Sequence, residues 1–427
     1  MTAESSAITA DQMRLVLDVS RLLVVTADLD LLLRRIAEAA IALVGAERAS
    51  IFLHDSNRHQ LWTKIALGSG EIRVPDSAGI VGHVFKTNLL LNIPDAYADT
   101  RFNREVDRMS GFHTRNLLTI PLPDIDHQPL GVLQIINKIG SPFRANDETL
   151  IELLSGQAGV AIQRFKLQQS AIQSAELHHE MELARQVQDR LIPQKAPQIP
   201  GLVAVGWTRP ASVTGGDCFD LWENSTGQLG VFVGDASGHG LAPAMIVSQA
   251  RTLIRALADI DCNPQWLLSR VNARLCCDME DSRFVTAFAA CVSGDGRVDW
   301  WSAGHGPIFI RPSLDAPLQM VNPQCPPMGV DPEMQPDEPA SVHLAPGGQL
   351  IVMSDGIFEA MRPDDRELFG LDRVVELFDR CLNHSPADLL TCIRESMIQW
   401  QGHEEPVDDQ TVVIVQRTAQ AIDSKVR

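Results

Sequence analysis

Four short acidic segments of this 427-residue chain sit at expected turns or strand ends: Gly215-Gly216-Asp217-Cys218-Phe219-Asp220, Gly234-Asp235-Ala236-Ser237-Gly238-His239-Gly240, Ser354-Asp355-Gly356, and Asp408-Asp409-Gln410-Thr411. Each borders an apolar run with the composition of a strand. A carboxylate at the end of a buried strand is held rigidly near an edge of its sheet, where several from distant positions can converge on hard cations. Glycines beside it let backbone carbonyls approach the same ions. One acid next to glycine is most often a turn; a set of four is a different matter.

Other reactive residues are less telling. His239 and His305 could give a proton to a leaving oxygen, although a structural role beside glycine is the commoner one. Cys276 and Cys277 have no His or basic residue adjacent to them and read as buried small side chains. All eight cysteines lie between Cys218 and Cys392, with no C-x-x-C pair and no familiar zinc spacing. Neither a disulfide framework nor a structural zinc site is therefore expected, and reduced thiols fit the cytoplasm.

The elements that must position these residues fall into more than one domain, because 427 residues exceed what a single core supports. Hydrophobic residues at 45% and charged residues at 21% are ordinary globular proportions. A formal charge of -18 without a Lys/Arg-rich run argues against nucleic acid or an acidic membrane as partner. The N-terminus lacks a basic segment followed by an apolar core, and no apolar run reaches the roughly 18 residues of a membrane span. A soluble, cytoplasmic protein is expected.

Helical spacing from Asp11 to Val44 predicts two amphipathic helices, the second stopped by Gly45. Short runs at 49–54, 61–66, 117–122 and 130–137 predict strands of one antiparallel sheet. A long helix is predicted from Asn146, whose side chain could cap it, with Asp147 and Glu148 on its positive end. From Leu167 to Leu191 nothing breaks the chain, and Leu177, Met181, Ala184, Val187 and Leu191 form a stripe suited to pairing with a second copy or to packing on its own domain. Pro193, Pro197 and Pro200 then mark a boundary. Beyond it strand-like runs (229–233, 286–292, 350–353, 411–416) outnumber the helices at 242–258 and 263–278, which fits an α/β sandwich.

The four acidic segments, in this order, resemble the metal-dependent PPM phosphatases, in particular the bacterial SpoIIE/RsbU-like branch that acts on regulators of sigma factors. The resemblance runs from about Glu182 to Val415 and includes Leu183-Ala184-Arg185-Gln186-Val187-Gln188, Leu191-Ile192-Pro193, Arg283-Phe284-Val285-Thr286-Ala287-Phe288 and Ala303-Gly304-His305-Gly306-Pro307. It implies a catalytic centre of Asp235, Asp355 and Asp408, with two Mn²⁺ or Mg²⁺ ions. Asp235 would bridge the ions, the Ala236 carbonyl would bind one, Asp355 and Asp408 would bind through carboxylates, and Asp217 would complete the site. Ala236 stands where the family usually has Val or Gly, which leaves the backbone ligand available. Asp409 and Asp220 are the less secure alternatives. Such an ion pair can activate water for in-line attack on a phosphoserine or phosphothreonine protein; the branch's substrates imply a phosphorylated anti-sigma-factor antagonist.

The segment from Leu22 to Phe165 resembles a GAF domain, and specifically the cyclic-nucleotide-binding subgroup. The resemblance rests on Ala78-Gly79-Ile80-Val81-Gly82-His83-Val84, on Asn92-Ile93-Pro94-Asp95-Ala96-Tyr97 with Arg101-Phe102-Asn103, and on Gly111-Phe112-His113-Thr114-Arg115-Asn116. Asn137-Lys138, Phe143 and Asp147-Glu148 repeat the subgroup's N-K...F-x-x-x-D-E signature; Lys138 is expected to pair with Asp147, and these five to shape the pocket without touching ligand. Ile80 and Val81 open an expected helix, Asn103 and Asp107, four apart, would share a face if their segment is helical, and Ser50, Thr114 and Gln134 align with the subgroup's pocket positions. The resemblance implies cAMP or cGMP as the ligand of these seven, and Gln134, where an acid can stand, leaves adenine against guanine open. Another small molecule, or dimerisation alone, is the alternative for this domain.

The expected architecture is α+β and multidomain: a tail or helix at 1–20, a GAF sensor at 21–168 with an antiparallel sheet flanked by helices, a helical linker at 169–195 suited to homodimerisation, and a PPM-type α/β sandwich at 196–420. The expected function is a phosphatase regulated by a small ligand. A catalytically silent ligand-sensing scaffold is the rival; a phosphodiesterase lacks its His/Asp metal constellation here, His54-Asp55 being an isolated pair.

Overall fold

The computed structural model describes Arg14 and residues 28–66, 72–279, 283–334, 338–402 and 405–418. The chain forms two compact units, Met1–Ala175 and Glu176–Arg427. The first amphipathic helix expected after Asp11, like the tail expected at 1–20, lies outside the described residues. Among those described, no helix is long and apolar enough to cross a membrane.

The first unit runs α1 (Leu29–Val44), β1 (Ala46–Asp55), β2 (Gln60–Ala66), β3 (Ile72–Pro75), α2 (Gly79–Thr87), β4 (Leu91–Ile93), a 3-10 turn (Ala96–Ala98), α3 (Arg104–Ser110), β5 (Leu117–Pro123), β6 (Pro129–Lys138) and the start of α4 (Ala145–Leu191). The strands make one six-stranded antiparallel sheet in the order β3-β2-β1-β6-β5-β4. Asp28 caps α1 by accepting the Leu31 N–H, and Gly45 ends it at φ 68°. Strand alternation sorts the side chains. Ala49, Ile51 and Leu53 of β1 join Leu33 and Ile36 of α1 and Leu154 and Ile162 of α4 in a core, while Phe52 turns to the other face with Val81, Val84 and Phe85 of α2.

α4 is one uninterrupted helix of 47 residues. Its cap differs from expectation: Asn146 lies inside the first turn, and Asp147 reaches back to accept the Arg144 N–H at 2.8 Å, the return half of a capping box. Lys138 Nζ donates to Asp147 Oδ1 at 2.7 Å, as expected, and also to the Val44 carbonyl at 2.8 Å.

The second unit continues with β7 (Leu202–Arg209), β8 (Asp217–Glu223), β9 (Leu229–Ala236), α5 (Leu241–Ala258), α6 (Pro264–Asp278), β10 (Val285–Val292), β11 (Arg297–Ala303), β12 (Ile308–Arg311), β13 (Gln319–Val321), β14 (Ala340–His343), β15 (Gln349–Met353), α7 (Asp355–Phe358), α8 (Gly370–Arg380), α9 (Pro386–Trp400) and β16 (Gln410–Arg417). Two antiparallel five-stranded sheets, β14-β11-β10-β9-β8 and β13-β12-β15-β16-β7, share a core of inward residues such as Val231, Val233, Phe288, Ile310, Val352 and Val413. Their outward neighbours differ by one position: Phe232 packs under α5 and α6 with Val247 and Leu268, and Ile351 and Ile414 pack under α8 and α9 with Phe378 and Ile393. The result is a sandwich of two sheets between two helical layers, and the whole chain is of mixed α+β class. Cys277 is exposed, contrary to the buried role expected of it; it stands two positions past Leu275, on the side of α6 away from the inward stripe of Leu268, Val271 and Leu275.

Candidate metal centre and ligand cavity

Strand pairing brings the four acidic segments together at one edge of the sandwich. β8 begins at Asp217 and β9 ends at Asp235 and Ala236, and the antiparallel register makes Asp217 and Asp235 direct partners. In the second sheet β15 ends just before Ser354 and Asp355, and its neighbour β16 begins just after Asp408 and Asp409. Asp409 ties the sheets: Oδ1 accepts the Ala211 N–H at 2.6 Å and Oδ2 accepts those of Gly216 and Asp217. Two glycines are needed for the approach. A Cβ on Gly216 would lie 2.7 Å from the Ala236 carbonyl oxygen, and one on Gly356 would collide with the Asp409 carbonyl.

The electrostatics are those of crowded like charges. Burial, then Asp235 and Asp409, raise Asp217 well above the usual carboxylate range. Burial, then Asp355, Asp408 and Asp409, push Asp235 up to about 7, with Asp217 in hydrogen-bond reach pulling the other way. Asp355 and Asp409 are raised as well, burial first. Asp217 Oδ2 is buried with no hydrogen-bond partner. An orphaned carboxylate oxygen among other carboxylates, beside a backbone carbonyl, is a donor set that suits hard divalent cations. Among the described residues no three of these acids bring oxygens within 4.8 Å of one another, so they outline a wide site and not a single tight cage.

The neighbouring acids do different work. Asp408 is exposed and acts electrostatically on Asp235 and Asp355, whereas both Asp409 oxygens are committed to backbone N–H groups. Asp220 does not join the cluster; it is buried against α5, 2.9 Å from Arg251 and 3.4 Å from Arg255. His305 is buried with Nδ1 2.9 Å from Thr286 Oγ1, and burial holds its pKa down to about 4. At neutral pH it is therefore held as the uncharged imidazole, a poor general acid. His239 is exposed on the turn between β9 and α5.

Gln188 was not singled out by sequence. It is buried near the end of α4, where Nε2 donates to the Gly215 carbonyl at 2.6 Å and Oε1 accepts the Gly215 N–H at 3.2 Å. The helix thus grips the loop that delivers Asp217. It lies in the segment 183–188 that carries the phosphatase resemblance, which gave it no role of its own.

In the first unit a cavity of about 240 Å³ opens between the sheet and α2 and α3, and Ser50, Ile80, Val81, Asn103, Asp107, Thr114 and Gln134 all line it. This is somewhat below the roughly 300 Å³ from which ligand pockets usually run. Asp107 is the hub of its polar wall, accepting the Thr114 N–H at 2.7 Å, the Thr114 hydroxyl at 2.7 Å and the Tyr97 hydroxyl at 3.1 Å. Asn103 caps α3, and Gln134 Nε2 lies 3.3 Å from Thr119 Oγ1. The sequence reading passed over Arg48, which stands one alternation from Ser50 on the cavity wall with its guanidinium 3.9 Å above the Phe112 ring. Asn137, Lys138, Phe143, Asp147 and Glu148 do not line the cavity; Asn137 and Lys138 brace the loops around it.

Comparison with known proteins agrees with this geometry. Residues 225–418 match the family model of Stage II sporulation protein E, and residues 28–162 match that of the GAF domain. The fold is similar to the SiaA-PP2C domain of Pseudomonas aeruginosa, with a TM-score of 0.51 at 17% identity over 58% of this chain and 99% of that one. The chain is 35% identical over 157 residues to a dual 3',5'-cyclic-AMP and -GMP phosphodiesterase 11A of Takifugu rubripes (33% of this chain, 17% of the relative). It is 35% identical over 153 residues to a probable 3',5'-cyclic phosphodiesterase of Caenorhabditis elegans (33% and 21%). It spans about a fifth of the length of these curated relatives. The chain thus carries a GAF domain followed by a Stage II sporulation protein E domain, the architecture of a serine/threonine protein phosphatase with an N-terminal GAF domain.

Proposed function

We propose that this phosphatase removes phosphate from a phosphorylated signalling protein, such as an anti-sigma-factor antagonist, under the control of a cyclic nucleotide bound by its GAF domain. The convergence of Asp217, Asp235, Asp355 and Asp408 on one edge, with Asp217 Oδ2 unpartnered, carries the catalytic part of this reading. These carboxylates and the Ala236 carbonyl would hold two Mn²⁺ or Mg²⁺ ions. Bound there, the ions supply Lewis-acid charge to the phosphoryl oxygens and acidify a water. The chain's own residues do the positioning: Asp409 fixes residues 211–217 through their N–H groups, Gln188 fixes Gly215, and Gly216 and Gly356 let the backbone close in.

Nucleotide sensing is supported by the cavity. Ile80 and Val81 lie in the first turn of α2, whose N–H groups suit an anion, Arg48 adds a cation, and Ser50, Thr114 and Gln134 offer hydrogen bonds to a base edge. A homodimer through the helix is supported by the exposure of Leu177 at 54% and Val187 at 62%. We place the sensor at 21–168, the linker at 169–195 and the phosphatase at 196–420, in the cytoplasm.

The test is hydrolysis of p-nitrophenyl phosphate and of a phosphoserine protein by the full chain with Mn²⁺, with and without cAMP or cGMP. A rate that changes with one nucleotide supports the whole reading. Turnover indifferent to both removes nucleotide control, and a folded protein inactive under every condition favours a catalytically silent ligand-sensing scaffold.

A further inference from the structure

A second group of ligating side chains lies away from the acidic edge, between α8 and α9. Cys381 closes α8 as its C-cap residue, His384 immediately precedes Ser385, the N-cap of α9, and Cys392 stands about two turns into α9. One ring nitrogen of His384 and the two Sγ atoms all lie within 4.8 Å of one another, and among the described residues this is the only trio of His, Cys, Asp or Glu so close. Cys381 is 2% exposed in the core with Phe378, Leu389 and Ile393, Cys392 is half-buried, and His384 is exposed.

We infer that Cys381, His384 and Cys392 form a three-ligand site for a zinc-class divalent cation, with a fourth position open to water on the His384 side. Zinc binds thiolate sulfur at about 2.3 Å and imidazole nitrogen at about 2.0–2.1 Å in tetrahedral geometry, which sets ligand atoms roughly 3.5–3.8 Å apart. Closing the trio on an ion therefore needs side-chain movement of about 1 Å. Soft sulfur with imidazole selects zinc-like ions over Mg²⁺ or Mn²⁺, so the domain would sort two classes of metal by donor type: oxygen at the acidic edge, nitrogen and sulfur here. A disulfide would use only the two cysteines and leave the approach of His384 without a role. Binding deprotonates both thiols, and the two protons pass to solvent. The C-x₂-H-x₇-C spacing is not a familiar zinc pattern, which is why sequence alone did not suggest it.

The probe is Co²⁺ added to the reduced full chain, because a thiolate bound to Co²⁺ absorbs in the near ultraviolet and carboxylate ligands do not. The expected result is a charge-transfer band that saturates at one Co²⁺ per chain and is displaced by Zn²⁺ and not by Mg²⁺. Cys392→Ser should abolish the band. His384→Ala, at an exposed side chain that does not hold the core, should weaken Co²⁺ binding about 10-fold or more with unchanged circular dichroism, and both variants should keep Mn²⁺-supported hydrolysis. No band, a band that survives Cys392→Ser, unaltered affinity in His384→Ala, or a Cys381–Cys392 disulfide that forms as readily with Zn²⁺ present would each overturn the assignment.

Discussion

Asp217 and Asp235 are register partners across β8 and β9, and the carboxyl groups of both are raised above the usual range. Burial is the first cause that raises both, followed for Asp217 by Asp235 and Asp409 and for Asp235 by Asp355, Asp408 and Asp409. Without metal, Asp235 is pushed up to about 7, while an unfolded aspartate titrates near about 3.9. Between these values the folded state binds more protons than the unfolded one, so stability falls as pH rises through that window. Chelator-treated protein should melt at a lower temperature at pH 8 than at pH 5, and Mn²⁺ should raise the midpoint more at pH 8. Differential scanning calorimetry reads both; a metal-free midpoint that climbs toward pH 8 would count against the cluster.

Asp408 and Asp409 should separate by phenotype. Asp409→Ala strands three backbone donors and is expected to destabilise the protein by at least about 1–3 kcal/mol, with Mn²⁺ affinity down about 10–100-fold. Asp408→Ala, at an exposed position, should leave stability within about 0.5 kcal/mol and still lose turnover. Melting curves alongside Mn²⁺ titrations distinguish the two, and equal destabilisation by both would contradict the division of labour.

Gln188→Ala should raise the Mn²⁺ concentration for half-maximal rate about 10-fold, because the loop before Asp217 loses its grip on α4, while the rate at saturating metal is largely retained. Steady-state kinetics against Mn²⁺ concentration decide it. An unchanged metal dependence would mean that the Gly215 contact is incidental.

In the GAF cavity, Asp107→Ala removes three accepted hydrogen bonds and should destabilise the domain by about 1–3 kcal/mol. Gln134→Leu should leave the melting temperature nearly unchanged and shift nucleotide affinity by about 10-fold, most for whichever of cAMP and cGMP the amide addresses. Calorimetric titration with both nucleotides measures this; no heat with either in wild type would remove them as ligands.

The acidic edge was legible because its signals are local: Asp217, Asp235 and Asp355 each sit where an apolar strand meets a small or glycine residue, and strand pairing did the rest. So was the Lys138–Asp147 pair, a short loop between a strand end and a helix start. What could not be read depends on contacts far apart in sequence. Asp409 differs from Asp408 only through N–H groups about 200 residues upstream, Gln188 through a loop 27 residues on, and Arg48 through the ring of Phe112. His305 reads as a plausible acid until Thr286 and the surrounding core are known. The continuity of α4 was half legible, since nothing between Ala145 and Leu191 breaks a helix except the tolerated Gly156 and Gly159. Gly159 packs so close to the Pro123 carbonyl that a Cβ would collide with it.

The most direct measurement is Mn²⁺-dependent release of phosphate from a phosphoserine protein by wild type, Asp235→Asn and Asp355→Asn, each checked for folding by circular dichroism. Loss of an ion ligand should exceed the 10–100-fold effect of residues that only orient ligands, so a fall of roughly 100-fold or more is expected in both variants, with weaker Mn²⁺ binding by calorimetry. Folded variants that keep wild-type turnover and metal affinity would show that the acidic edge is not the catalytic centre.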